Sequence, residues 1–91
     1  MSRRAASLLE RMRRTPFDWG HDEVCKMLSG YRFKCWEGGK HTICQHETFE
    51  DLTISVPRHN VLRPWVARDA VALVDEAARR EVESNRGESR T

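Results

Sequence analysis

Lys34-Cys35-Trp36-Glu37-Gly38-Gly39-Lys40-His41-Thr42-Ile43-Cys44 decides the fold of this chain. Gly-Gly between two alternating runs marks a tight β-hairpin, because a two-residue connection asks for positive φ that glycine adopts without steric cost. With Gly38 and Gly39 as the turn, residues equidistant from the tip oppose each other. That register sets Glu37 against Lys40, Trp36 against His41, Cys35 against Thr42, Lys34 against Ile43 and Phe33 against Cys44. Side chains alternate faces along a strand. Tyr31, Phe33 and Cys35 then share a face with Thr42, Cys44 and His46, while Arg32, Lys34 and Trp36 share the other with His41, Ile43 and Gln45. His41 falls on the basic face, and only a bulge or a three-residue loop would reverse the assignment.

Downstream, Leu52-Thr53-Ile54-Ser55-Val56 alternates again, with Leu52, Ile54 and Val56 toward a core and Thr53 and Ser55 away from it. The three strands lie near 31–37, 40–46 and 51–57. Upstream, Ala5, Leu8, Leu9 and Met12 recur at helical spacing over 3–14, and Thr15-Pro16 stops that helix. A second short helix begins at Asp18 or at His21-Asp22, carries Val24, Met27 and Leu28 inward, and uses Gly30 as its C′ residue. Pro64 opens a last helix with Val66, Ala70, Leu73, Val74 and Ala77 on one stripe. From about Arg79 the stripe fades into polar residues. The expected architecture is α+β: a three-stranded antiparallel meander with helices on one face and its other face open. Residues 1–15 form an N-terminal helical extension, 16–80 the folded domain, and 81–91 a frayed or disordered tail.

Ninety-one residues make one domain with a thin core. No apolar run is long enough to span a membrane, and the arginine-rich start interrupts any signal-peptide pattern. The expected location is cytoplasmic. The three cysteines, 25, 35 and 44, do not make a disulfide framework and are read as reduced, partly buried thiols. The net charge of +2 is unevenly spread. Residues 1–14 hold five arginines against one glutamate, and Arg58, Arg63 and Arg68 lie in an acid-free stretch. A polyanionic partner fits these segments, as does a simply solvated charged surface.

Cysteine spacings match no zinc signature, and the register turns His41 away from the thiols, so no metal and no cofactor are expected. Cys44 between apolar neighbours reads as core filling, not as a nucleophile. Among the histidines, His21 reads as a surface residue near a helix start and His46 as a packed strand-end residue. His59 follows strand three in a basic loop, where it can meet an anion. His41 alone combines an open face, a tip at Gly39 that admits close ligand approach, and cations at Lys34 and Lys40. An exposed strand histidine resting on Trp36 is the plainer alternative.

The stretch Gly30–His41, ending Gly38-Gly39-Lys40-His41, followed by Leu52–His59 with Val56-Pro57-Arg58-His59, resembles the HicA family of toxin ribonucleases. The resemblance covers roughly residues 17–78. It implies a double-stranded-RNA-binding-like α-β-β-β-α fold with the N-terminal helix as an addition. It also implies a metal-independent endoribonuclease (an mRNA interferase of a toxin–antitoxin system, associated with stress responses) with His41 as catalytic residue, and a cognate HicB-like antitoxin as partner. Lys40 stands where the family usually carries serine or threonine. For such a reaction the ribose 2′-hydroxyl is an internal nucleophile and His41 the acid or base. Lys34, Lys40 and Arg58 would hold phosphate, Trp36 would stack a base, and His59 or water would supply the second proton-transfer group. The alternatives are a non-catalytic RNA-binding module and a basic interaction protein of the same fold.

Overall fold

In the hairpin, the two residues between the strands are Gly39 and Lys40, and Gly38 belongs to the first strand. The computed structural model describes residues 3–89, with side chains described through residue 84. The elements are α1 (Arg3–Arg14), α2 (His21–Ser29), β1 (Phe33–Gly38), β2 (His41–His46), β3 (Thr53–Pro57) and α3 (Pro64–Ser89). The sheet is antiparallel throughout, in the order β1-β2-β3. Gly39 has φ +75° and Lys40 does not share the left-handed region, the pattern of a type II′ turn with glycine at its first central position.

The turn thus sits one residue later than Gly-Gly alone suggests, and the register moves by two. Phe33 pairs with His46, Lys34 with Gln45, Cys35 with Cys44, Trp36 with Ile43, Glu37 with Thr42 and Gly38 with His41. A shift of two preserves every face, because side chains alternate with period two. Thr42, Cys44 and His46 are buried and His41 is exposed, as the alternation requires. What changes is the partner of each residue. The observed register gains an aromatic–β-branched pair, Trp36 with Ile43, and an edge-to-face contact of Phe33 on His46 at 5.1 Å.

Helices α2 and α3 cover one face. Val24, Met27 and Leu28 of α2 and Val66, Ala67, Ala70, Val71, Val74 and Ala77 of α3 close over Phe33, Cys44, Ile54 and Val56. Helix α1 packs on α2 and α3 rather than on the sheet, burying Ala5, Leu8 and Met12. Arg13 clamps it to α3 with two hydrogen bonds to Asp75, at 2.7 and 2.8 Å. Gly30 is required for a reason other than a left-handed cap. Its φ is −74°, and a Cβ built there would stand 2.2 Å from the Cβ of Ala5. The left-handed residue is Arg32, at φ +71°, so β1 starts at Phe33 rather than at Tyr31.

At the other end, α3 corrects the expected tail. The helix continues to Ser89, well past residue 80. Arg79 bridges Glu76 and Glu83, and Arg80 binds Glu76 while reaching Asp51 with two bonds of 2.8 Å. The polar residues that erase the apolar stripe are i,i+3 and i,i+4 partners, which hold a solvent-exposed helix wound. Residues 1, 2, 90 and 91 of the expected extension and tail lie outside the described residues. No helix among those described is long and apolar enough to cross a membrane.

Candidate functional site

His41 is the first residue of β2, and the sheet pairs it with Gly38 on one side and Pro57 on the other. The two segments Gly38–His41 and Val56–His59, separate in sequence, thus meet at one end of the sheet. The imidazole is exposed and makes no hydrogen bond or ion pair among the described residues. Further along the same face, Ile43 lies between Trp36 and Ser55, and Gln45 lies between Lys34 and Thr53. Trp36 leaves 47% of its surface open, much as Phe17 and Trp65 do elsewhere on the molecule. Lys34 and Lys40 are exposed and have no ion-pair partner within the described residues. Nothing lies within 4 Å of where a Cβ on Gly39 would be, so the tip is open to close approach. The result is an uncovered strip carrying one imidazole, one indole and two ammonium groups.

Arg58 and His59 do not join that strip. They line a cleft of about 580 Å³ on the helix-covered side of the same sheet end, with His21, Asp22, Glu37 and Thr42. Arg58 is paired with Glu37 at 3.4 Å. The backbone carbonyl of His59 accepts the His21 N–H at 3.1 Å, tying the loop after β3 to the start of α2. The phosphate-holding set read from the sequence is therefore divided: Lys34, Lys40, Trp36, Gly39 and His41 on or beside the open face, Arg58 and His59 behind it.

His21 is the residue that sequence reasoning undervalued. It is not a plain surface side chain. Its Nδ1 lies 2.8 Å from Asp22 Oδ1 and its Nε2 lies 2.6 Å from Thr42 Oγ1 and 3.6 Å from Cys25 Sγ. A carboxylate on Nδ1 places the ring proton there, leaving the Nε2 lone pair to accept from the Thr42 hydroxyl. The available signal was the i,i+4 spacing of His21 and Cys25, which stacks them one helical turn apart.

The cysteines also depart from expectation. Cys35 and Cys44 form a disulfide, with Cα atoms 4.1 Å apart. The two-residue turn makes Gly38–His41 a hydrogen-bonded pair, so by alternation Cys35–Cys44 is a non-hydrogen-bonded pair, where opposing side chains approach closest. In the Gly-Gly register Cys35 would have faced Thr42, and the bridge was invisible for that reason. The expectation of three reduced thiols is corrected at this pair. Cys25 stays a free thiol, half-buried, and burial with Asp22 nearby pushes its pKa up to about 11. Such a thiol is protonated near neutral pH and is a poor nucleophile. All three sulfurs nonetheless lie within 4.8 Å of one another, so the cysteines scattered in sequence form a single cluster.

Compared with protein-family models, curated proteins and solved structures, the chain matches none.

Proposed function

We propose that this chain is an RNA-cleaving protein of the HicA kind, with single-stranded RNA lying across the uncovered sheet face and His41 at the reacting phosphate. The reading is supported above all by the strand register, which gives His41 an unengaged imidazole beside an open glycine tip and in line with Trp36. Lys34 and Lys40 attract the phosphates, and Trp36 offers a stacking platform that any unpaired base can use. His41 takes the proton from the ribose 2′-hydroxyl or delivers one to the departing oxygen. The order α2-β1-β2-β3-α3 fits a double-stranded-RNA-binding-like domain with α1 added, and a cognate antitoxin would act by covering the open face.

Purified protein with its disulfide intact is incubated with a mixed-sequence RNA in the presence of EDTA. Cleavage is expected, with 2′,3′-cyclic phosphate ends, and His41→Ala should slow it by about 10²–10⁴-fold while RNA binding persists. Cleavage by His41→Ala at the wild-type rate would remove the assignment. One observation favours a second reading, a non-catalytic RNA-binding module: among the described strand residues of the open face His41 is the one imidazole or carboxyl side chain, with no second such group beside it to share the proton transfers. Tight RNA binding without cleavage by the wild-type chain would decide for it.

A further inference from the structure

We infer that, when the Cys35–Cys44 bridge is reduced, His21, Cys25, Cys35 and Cys44 form a four-ligand site for Zn²⁺ that fastens α2 to the β1–β2 hairpin. The inference is independent of any activity at His41, which lies on the opposite face. With Zn–S near 2.3 Å and Zn–N near 2.0–2.1 Å, a regular tetrahedron has S···S edges of about 3.8 Å and S···N edges of about 3.5 Å. The structure holds Cys25 Sγ 3.9 Å from Cys44 Sγ and 3.6 Å from His21 Nε2, so two edges are already at length. The third sulfur, from Cys35, lies within 4.8 Å of the other two, and the His21 imidazole, which touches this cluster at Cys25, completes the set by turning inward. The bridged Cα atoms are 4.1 Å apart, and once the bond is broken rotation about χ1 lets the two sulfurs separate.

The groups behind the ligands fit as well. Metal-bound histidines characteristically donate their other ring N–H to a carboxylate, which orients the ring and raises its basicity. The Asp22 carboxylate already accepts from His21 Nδ1 at 2.8 Å, which leaves Nε2 facing Cys25 Sγ at 3.6 Å. The Ser29 hydroxyl points at Cys35 Sγ from 3.9 Å, where it can donate to a thiolate. The Thr42 hydroxyl, which holds the Nε2 lone pair in the bridged state, must turn aside. Three thiolates and an imidazole are a donor set that favours Zn²⁺ over harder cations. The ligand pattern, His-x₃-Cys-x₉-Cys-x₈-Cys, comes from one helix and two paired strands, so only the fold assembles it.

The chemistry balances. A dithiol reductant gives two electrons and two protons to the bridge, making two thiols while it closes its own disulfide. Zn²⁺ then displaces three thiol protons. Oxidised chain and metal-bound chain are thus two alternative ways of holding the same hairpin.

The full chain, reduced with dithiothreitol and freed of it under anaerobic conditions, is titrated with Co²⁺ beside the oxidised chain. One equivalent should give the intense visible bands of tetrahedral cobalt and a thiolate charge-transfer band in the reduced chain alone, and Zn²⁺ should displace it one for one. His21→Ala and Cys25→Ser should abolish the signal, and Asp22→Asn should weaken affinity about 10–100-fold. Both ligand variants keep the Cys35–Cys44 bridge, so circular dichroism of their oxidised forms separates a lost ligand from a lost fold. A reduced wild-type chain without a tetrahedral spectrum, or a folded His21→Ala variant that binds like wild type, would overturn the site.

Discussion

His41 and His46 occupy one strand and meet opposite conditions, because one has odd and the other even parity. His46 is 1% exposed, wedged edge-on against Phe33 and stacked 5.0 Å from Phe49. Its Nδ1 accepts the backbone N–H groups of Thr48 and Phe49 at 3.1 and 3.2 Å, so the ring proton sits on Nε2. That Nε2 has no hydrogen-bond partner among the described residues, although the Glu81 carboxylate stands 3.8 Å away. Burial lowers the pKa of His46; Glu81 and Glu47 oppose the shift and Arg32 adds to it. A depressed folded pKa means the unfolded chain takes up the proton first. Stability from this residue is then complete above the unfolded value, about 6.5, and drains away as pH falls below it. Urea midpoints between pH 7.5 and 5 should decline in the wild type and decline less in His46→Asn, whose amide oxygen can still accept the two N–H groups. His46→Ala should cost about 2–4 kcal/mol, from the cavity and two orphaned donors. His41→Ala should stay within about 0.5 kcal/mol of wild type by the same measurement, since it removes no packed contact.

At the scale of elements, the hairpin and the α1–α2 contact each turn on one glycine, for different reasons. Gly39 is needed for its backbone: φ is +75° and a side chain would meet nothing. Gly39→Ala should therefore destabilise by about 1–2 kcal/mol, and Gly39→Asn by less, measured by thermal unfolding. Gly30 is needed for space. Gly30→Ala drives one Cβ into another and should cost about 1–3 kcal/mol, partly recovered in a Gly30→Ala/Ala5→Gly double variant. Failure of the second change to recover stability would show that α1 is not held at that contact. The bridge between β1 and β2 closes a loop of sequence separation 9. Reducing it without metal should lower stability by about 2–3 kcal/mol in chemical denaturation, most of it through the freer unfolded chain.

For the molecule as a whole, charge is apportioned between holding the fold and meeting a partner. Arg13, Arg79 and Arg80 are engaged with Asp75, Glu76, Glu83 and Asp51, whereas Lys34 and Lys40, on or beside the open face, form no ion pair among the described residues. Lys34→Ala and Lys40→Ala should each weaken RNA binding and reduce the slope of log affinity against log salt by about 0.7, as loss of one contact to a single strand requires. Arg79→Ala should leave that slope unchanged; an equal effect from all three would indicate diffuse attraction with no defined strip. The α+β class, the element order, the meander and the two faces of the hairpin were legible in the sequence, because they rest on local periodicity and a two-residue register shift leaves periodicity untouched. Cross-strand partners were not legible, since Gly38-Gly39 and Gly39-Lys40 are both acceptable turns, and the choice was made by how Trp36, Ile43, Phe33 and His46 pack. That choice created the Cys35–Cys44 bridge. The length of α3 escaped notice because Asp51, distant in sequence, supplies part of what steadies it. The mutual contact of His21 and Cys25 was available in their i,i+4 spacing, but their placement against Thr42 and Cys44, like that of Arg58 and His59, depended on how α2 and the loop after β3 dock on the sheet. Such docking is set by long-range packing, and no local pattern in the chain encodes it.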